Sequence, residues 1–164
     1  MKTFLSGAIL IALLCVAEGT RAATVTVQGN VTIASCTLND GQDIEVPFGN
    51  DVVTTKIDGK SYKKMLLKYT FQCDTGIGTG AVLTLSISGT QASFGSGLLL
   101  TNMNGLGVQF LNESTALPVN TGKATFNYNS DQPPNIYAVL ARDSSISLNG
   151  GAFSATATMS LDYQ

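Results

Sequence analysis

Phe153-Ser154-Ala155-Thr156-Ala157-Thr158-Met159-Ser160-Leu161-Asp162-Tyr163 alternates apolar with small polar residues to the end of the run. A period of two puts the two sets on opposite faces of a β-strand, whereas a helix would need a period near 3.6. The same rhythm recurs upstream. Val25, Val27, Val31 and Ile33, with Gly29 in phase, alternate with Thr24, Thr26, Gln28, Asn30 and Thr32. Met65, Leu67, Tyr69, Phe71 and Cys73 share one side, and Leu83, Leu85 and Ile87 alternate with Thr84, Ser86 and Ser88. Shorter runs at 43–48, 107–111, 124–128 and 136–141 are separated by Gly, Asn and Pro, and no stretch carries a helical stripe. Many short strands broken by turn signals predict an all-β antiparallel sandwich, with no repeat and no linker.

Composition narrows the function. Charged residues make up 12% of the 164, where about 25% is usual, and the formal net charge is −2. That balance argues against a disordered tail, a coiled coil, a nucleic-acid binder and a protein drawn to anionic lipid. The chain contains no His, so imidazole bases, His metal ligands and His-containing triads are excluded. No cofactor and no metal is expected.

Residues 1–22 read as a secretory signal peptide. Lys2 precedes an apolar run over 4–17, and Thr20-Arg21-Ala22 places small residues at the −3 and −1 positions of a cut after Ala22. The run is short for a membrane span, so stable membrane insertion is not expected. Cleavage removes Lys2, Glu18 and Arg21 and makes the charge one unit more negative. It also removes Cys15, leaving Cys36 and Cys73. Two cysteines in an oxidising compartment are most simply one disulfide, worth about 4 kcal/mol in the chain-entropy model. A redox pair would want C-x-x-C, and a zinc site more ligands.

Several motifs fall away on inspection. Ser61-Tyr62-Lys63-Lys64 matches S-x-x-K without the companion motifs of penicillin-recognising enzymes. The glycine-rich run 76–80 precedes a strand, where a phosphate loop needs a helix. The sequons at Asn30 and Asn112 arise readily in a Ser/Thr-rich chain, and Asp40-Gly41 is a turn. What stands out is the arm ahead of Cys36, because a domain's edge is normally frayed and polar, whereas this one is patterned for burial on one face.

The run Val27-Gln28-Gly29-Asn30-Val31-Thr32-Ile33, then Cys36-Thr37-Leu38-Asn39-Asp40-Gly41-Gln42, resembles pilins of the chaperone–usher pathway. So does the ending, with Gly151 fourteenth from the end and Tyr163 second from it. Both ends look closest to the minor tip-adaptor pilins of P pili. The resemblance implies an incomplete immunoglobulin-like β-sandwich lacking its last strand, with an N-terminal donor-strand extension at 23–35 and a pilin domain at 36–164. It implies a donor strand that places Val25, Val27, Gly29, Val31, Ile33 and Ser35 in a neighbour's groove, by β-augmentation. The wall of the chain's own groove would be Gly151, Phe153, Ala155, Ala157, Met159, Leu161 and Tyr163, with the carboxylate of Gln164 gripped by a chaperone.

The implied partners are a periplasmic pilus chaperone, an outer-membrane usher, neighbouring pilin subunits and an adhesin, and the implied destination is a fimbrium on the bacterial surface. The function expected is structural and non-catalytic. The alternative is a secreted lectin-like carbohydrate-binding module or an adhesin. It is weakened by the absence of Trp platforms and by a length that leaves no room for the receptor-binding domain of the family's adhesins.

Overall fold

The computed structural model describes residues 25–30 and 34–163. The chain divides into a leading segment up to Thr32 and a body from Ile33 onward. In the leading segment, residues 25–30 carry no strand, and Val25 and Val27 are 83% and 89% exposed.

The body is built from β1 Cys36–Leu38, β2 Met65–Leu66, β3 Phe71–Cys73, β4 Val82–Ser88, β5 Leu99–Leu100, β6 Leu106–Asn112, β7 Thr115–Ala116, β8 Lys123–Asn127, β9 Ile136–Arg142 and β10 Thr158–Tyr163. One sheet runs β2-β9-β6-β5, with β7 folded back on β6; a second runs β10-β4-β8; a third pairs β1 with β3. Every pairing between them is antiparallel.

The alternation read from the sequence decides which side chains meet between the layers. Register pairs Leu85 with both Ala124 and Leu161, and Leu83 with Phe126, so β4 presents Leu83, Leu85 and Ile87 inward. Facing them, β6 and β9 bring Leu106, Val108, Phe110, Ile136, Ala138 and Leu140 into the same core. The opposite face of β6 and β9 is also covered, because Ala92, Leu98 and Ala141 form a small second core with Phe94 packed against it. Burial on both faces explains why these two strands read as nearly continuous apolar runs.

Cys36 and Cys73 lie opposite each other across the β1–β3 pair and are disulfide-bonded. One residue on either side, the Asp74 carboxylate accepts from Ser35 N (2.8 Å) and Ser35 Oγ (3.0 Å), while Asp74 N donates to Ser35 O (2.9 Å).

The structure differs from the sequence reading at four strands. The arm shows no strand over 25–30, and Val31 and Ile33 lie outside the described residues. Residues 43–48 alternate in burial as expected yet pair with no described strand. The run 65–73 is split, because the chain leaves one sheet for another. Leu67 N still donates to Ile136 O on β9, but Thr70 O already accepts from Asn39 N, beside β1. The final strand begins at Thr158, not at Phe153, since only from there does β4 run alongside it.

Candidate functional site

The two unpaired stretches face one another. Between residues 42–50 and 150–159 the body is open along a groove of about 1270 Å³, floored by Leu67, Ile87, Leu99, Phe110 and Ala138. The floor belongs to both layers of the sandwich, so the groove is a slot into the core. Ile44, Val46 and Phe48 line one rim with their half-buried side chains. Phe153, Ala157 and Met159 line the other in the same way. Phe48 and Phe153 meet across the gap with ring centroids 5.8 Å apart.

Local chemistry fixes where each rim begins. Asn39, Asp40 and Gly41 take left-handed φ values of 48°, 50° and 75°, which turn the chain sharply after β1. Asn39 Nδ2 then donates to Gln42 O (3.0 Å) and Asp43 O (3.1 Å), holding the first residues of the rim. On the other side Ser154 is clasped by Asn102, which accepts at Oδ1 from Ser154 N (2.8 Å) and donates from N to Ser154 O (3.0 Å). Beyond these anchors, Ile44 to Phe48 and Ala155 to Ala157 form no backbone hydrogen bond with any described residue. Apolar walls with unmatched backbone groups are complementary to one ligand type, an extended strand with aliphatic side chains at alternate positions.

Nothing in the groove is arranged for acid–base work. The shifted groups lie elsewhere and have local causes. Asp58 is held well below the ordinary carboxylate range by Ser61 Oγ and the N–H groups of Lys60, Tyr62 and Ser61. Lys63, at 2.6 Å, lowers Asp51, and Ser145 lowers Asp143. Burial pushes Tyr69 up to about 12, its hydroxyl donating to Pro134 O at 2.6 Å. Among the described residues no cluster of His, Cys, Asp and Glu is placed to hold a metal ion, and no helix is long and apolar enough to cross a membrane.

The expected wall residues fall as follows. Phe153, Ala157 and Met159 are half-buried and Leu161 is buried, but Ala155 is exposed and Tyr163 is 48% exposed. Tyr163 keeps the phase of Leu161, pairing with Leu83, but sits at the open end of β10 beyond the packed core. Gly151 precedes Phe153 on the lining, and Gln164 lies outside the described residues. Ser35, expected in a neighbour's groove, is tied to Asp74 of its own body. Sequence reasoning found 43–48 as an apolar alternation but not as the opposite rim, and it missed the floor. Its signal, Ile44-x-Val46-x-Phe48, was visible, but that it faces Phe153 to Met159 across a slot was not.

The sequence model of the family described as "Fimbrial protein" matches residues 25–164. The chain belongs to the fimbrial protein family. This fimbrial chain is 31% identical over 168 aligned positions to the fimbrial-like protein YfcQ of Escherichia coli K12, with 99% of each chain covered. It is 32% identical to the fimbrial adapter PapF of Escherichia coli, covering 85% of this chain and 86% of PapF. The solved structure of the P pilus adaptor subunit PapF superposes with a TM-score of 0.56 at 30% identity, over 82% of this chain and all of that one. The P pilus rod subunit PapA shares the fold alone, with a TM-score of 0.56 at 19% identity, over 79% of this chain and 99% of that one. The fold is therefore the immunoglobulin-like pilin sandwich, and the chain is a structural fimbrial subunit, not an enzyme.

Proposed function

We propose that this subunit polymerises by donor-strand exchange in a chaperone–usher fimbria, as a minor or tip-adaptor subunit that supports an adhesin in cell adhesion. The observation that carries the reading is the slot itself, two unpaired rims over an apolar floor. An exposed groove of this kind is an aggregation hazard unless a strand fills it. A periplasmic chaperone would fill it first. At the outer-membrane usher, the arm of the next subunit would replace the chaperone strand. This chain's own arm would do the same for its neighbour and come to rest in the fimbrium at the cell surface.

Val25, Val27, Val31 and Ile33 supply the aliphatic side, worth about 5–10 kcal/mol before ordering costs, in addition to a backbone ladder. The described part of the arm fits this role, since Val25 and Val27 are exposed and a Cβ on Gly29 would meet nothing within 4 Å among the described residues. Its glycine is thus not required by its own surroundings. The adaptor assignment rests on the similarity to PapF over most of both chains.

The test is strand exchange between chaperone-bound subunits, read as a dimer that resists dissociation. Gly29→Leu and deletion of residues 23–33 are expected to abolish donation while the body still folds and still accepts strands. Donation by Gly29→Leu at the wild-type rate would remove the arm from the mechanism.

A further inference from the structure

A second concavity, of about 820 Å³, lies on the outer face of the β2-β9-β6-β5 sheet, away from the residues that line the groove. Its floor is apolar, made by Ile57, Leu98, Leu111 and Ala141, all buried. Around the floor stand Lys60, Lys64 and Arg142, with hydroxyl and amide groups from Ser96, Ser114, Ser144 and Gln109. Seven Lys and Arg residues lie in the described body, so three of them border one pocket of a chain whose net charge is −2.

These cations outnumber the acidic side chains beside them and form no ion pair among the described residues. Lys63–Asp51 is the ion pair found among the described residues, and neither partner lines this pocket. Asp58 is the acidic residue on the lining, but its Oδ1 accepts from Lys60 N, Ser61 N and Tyr62 N, and its Oδ2 from Ser61 Oγ. Those hydrogen bonds orient Asp58 toward its own loop and hold it ionised, so the lining carries one anion against three cations and keeps a net positive charge. Lys64 is held in place, donating from Nζ to Glu113 O at 2.7 Å with the Tyr137 ring 4.0 Å away.

We propose that this pocket binds an anionic saccharide, a sugar unit carrying a carboxylate or a sulfate. The volume suits a ligand of that size. Unpaired Lys and Arg would take the acid, Arg through two parallel N–H groups, and the Ser and Gln side chains would take hydroxyls. An acidic peptide strand fits less well, because the floor is a sheet face whose backbone groups are already used. Gln109 pairs with Val139 and Leu111 with Tyr137, leaving no ladder to extend. The missing Trp platform weakens a case for neutral sugars only; here charge would take its place. This assignment does not depend on how the subunit polymerises.

The test is a titration of the isotope-labelled subunit, kept soluble by a donor strand or chaperone strand in its slot, followed by amide shifts. The probes are N-acetylneuraminic acid, glucuronic acid and a 6-sulfated galactose, with galactose and an acidic tetrapeptide as comparators. Shifts are expected to cluster at residues 58–64, 109–116 and 141–144, to weaken with added salt, and to separate carboxylate from sulfate preference by their relative affinity. Lys60→Ala and Arg142→Ala, both at exposed positions, should each weaken binding about tenfold or more, while Lys123→Ala on β8 of the other sheet should change nothing. Equal shifts with galactose, stronger binding of the tetrapeptide, insensitivity to both substitutions, or no shift with any anionic sugar at about 20 mM would each overturn the proposal.

Discussion

One carboxylate oxygen, Asp74 Oδ2, receives both hydrogen bonds that Ser35 can donate, and the Asp74 amide returns a third to Ser35 O. With the Cys36–Cys73 bridge beside it, this clasp fixes the point at which the arm leaves the body. Asp74→Ala is expected to lower the melting temperature by about 4 °C, as the loss of ~1 kcal/mol would, and to speed amide exchange at Ser35. Asp74→Asn keeps an acceptor oxygen and should recover part of the protection. Unchanged exchange at Ser35 in Asp74→Ala would show that the disulfide alone sets the root. A second carboxylate acts by a similar device at the loop that edges the cationic pocket. Asp58 sits below its ordinary value near 3.8 because Ser61 Oγ and three loop N–H groups favour the ionised form. A depressed folded-state pKa means that the loop's stabilisation is complete above about pH 4 and is lost as the pH falls through the folded value. Amide signals of Ser61 and Tyr62 should therefore hold from pH 7 to about 4 and move only at lower pH, whereas Asp58→Asn should remove that titration.

At the scale of elements, alternation reports which face is buried, not whether a strand has a partner. β4, β6 and β9 were legible because each has both its apolar face and its neighbours inside the chain. Residues 43–48 and 153–157 carry the same rhythm and the same alternating or near-alternating burial, yet stay unpaired among the described residues; on the proposed mechanism a strand from another chain would lie between them. β1, β5 and β7 are two or three residues long, too short to display a period. Along one rim, the alternation seen in the sequence coincides with the half-buried lining residues Phe153, Ala157 and Met159. The facing rim and the floor were not legible as such, since Leu67, Ile87, Leu99, Phe110 and Ala138 are brought together only by the fold. The rim makes its own prediction. Ala157 is half-buried, lines the groove and forms no backbone hydrogen bond with a described residue. Ala157→Asp would place an unpaired carboxylate against an incoming aliphatic strand, at a cost of several kcal/mol. Exchange assays should find this variant unable to accept a strand but still able to donate its arm. Acceptance at the wild-type rate would place the incoming strand elsewhere.

For the molecule as a whole, a slot into the core means that part of the apolar surface a sandwich normally hides stays in contact with water. The floor residues Leu67, Ile87, Leu99, Phe110 and Ala138 are buried, and the apolar surface left to water is that of the half-buried rims, Ile44, Val46, Phe48, Phe153, Ala157 and Met159. On the proposed mechanism, the stability of such a body would be coupled to the strand that fills the slot. A ligand that binds the folded state alone adds RT ln(1 + [L]/Kd), about 2.7 kcal/mol at a concentration one hundred times Kd. A chain trimmed to residues 34–164 is therefore expected to melt at a low temperature and to aggregate. A peptide of residues 23–34 should raise its melting temperature progressively with concentration. The same peptide with Gly29→Leu should raise it less if, as the pilin resemblance implies, Gly29 docks over a shallow part of the floor, where an added side chain overpacks and typically costs about 1–3 kcal/mol. A scrambled peptide of the same composition, without alternation, should leave the melting temperature unchanged. If all three peptides act alike, hydrophobicity and not register is being sensed. If none acts, the slot is matched to a different subunit's arm, and the measurement is repeated with arms from neighbouring fimbrial chains, one of which must then produce the concentration-dependent rise for the groove to be the acceptor.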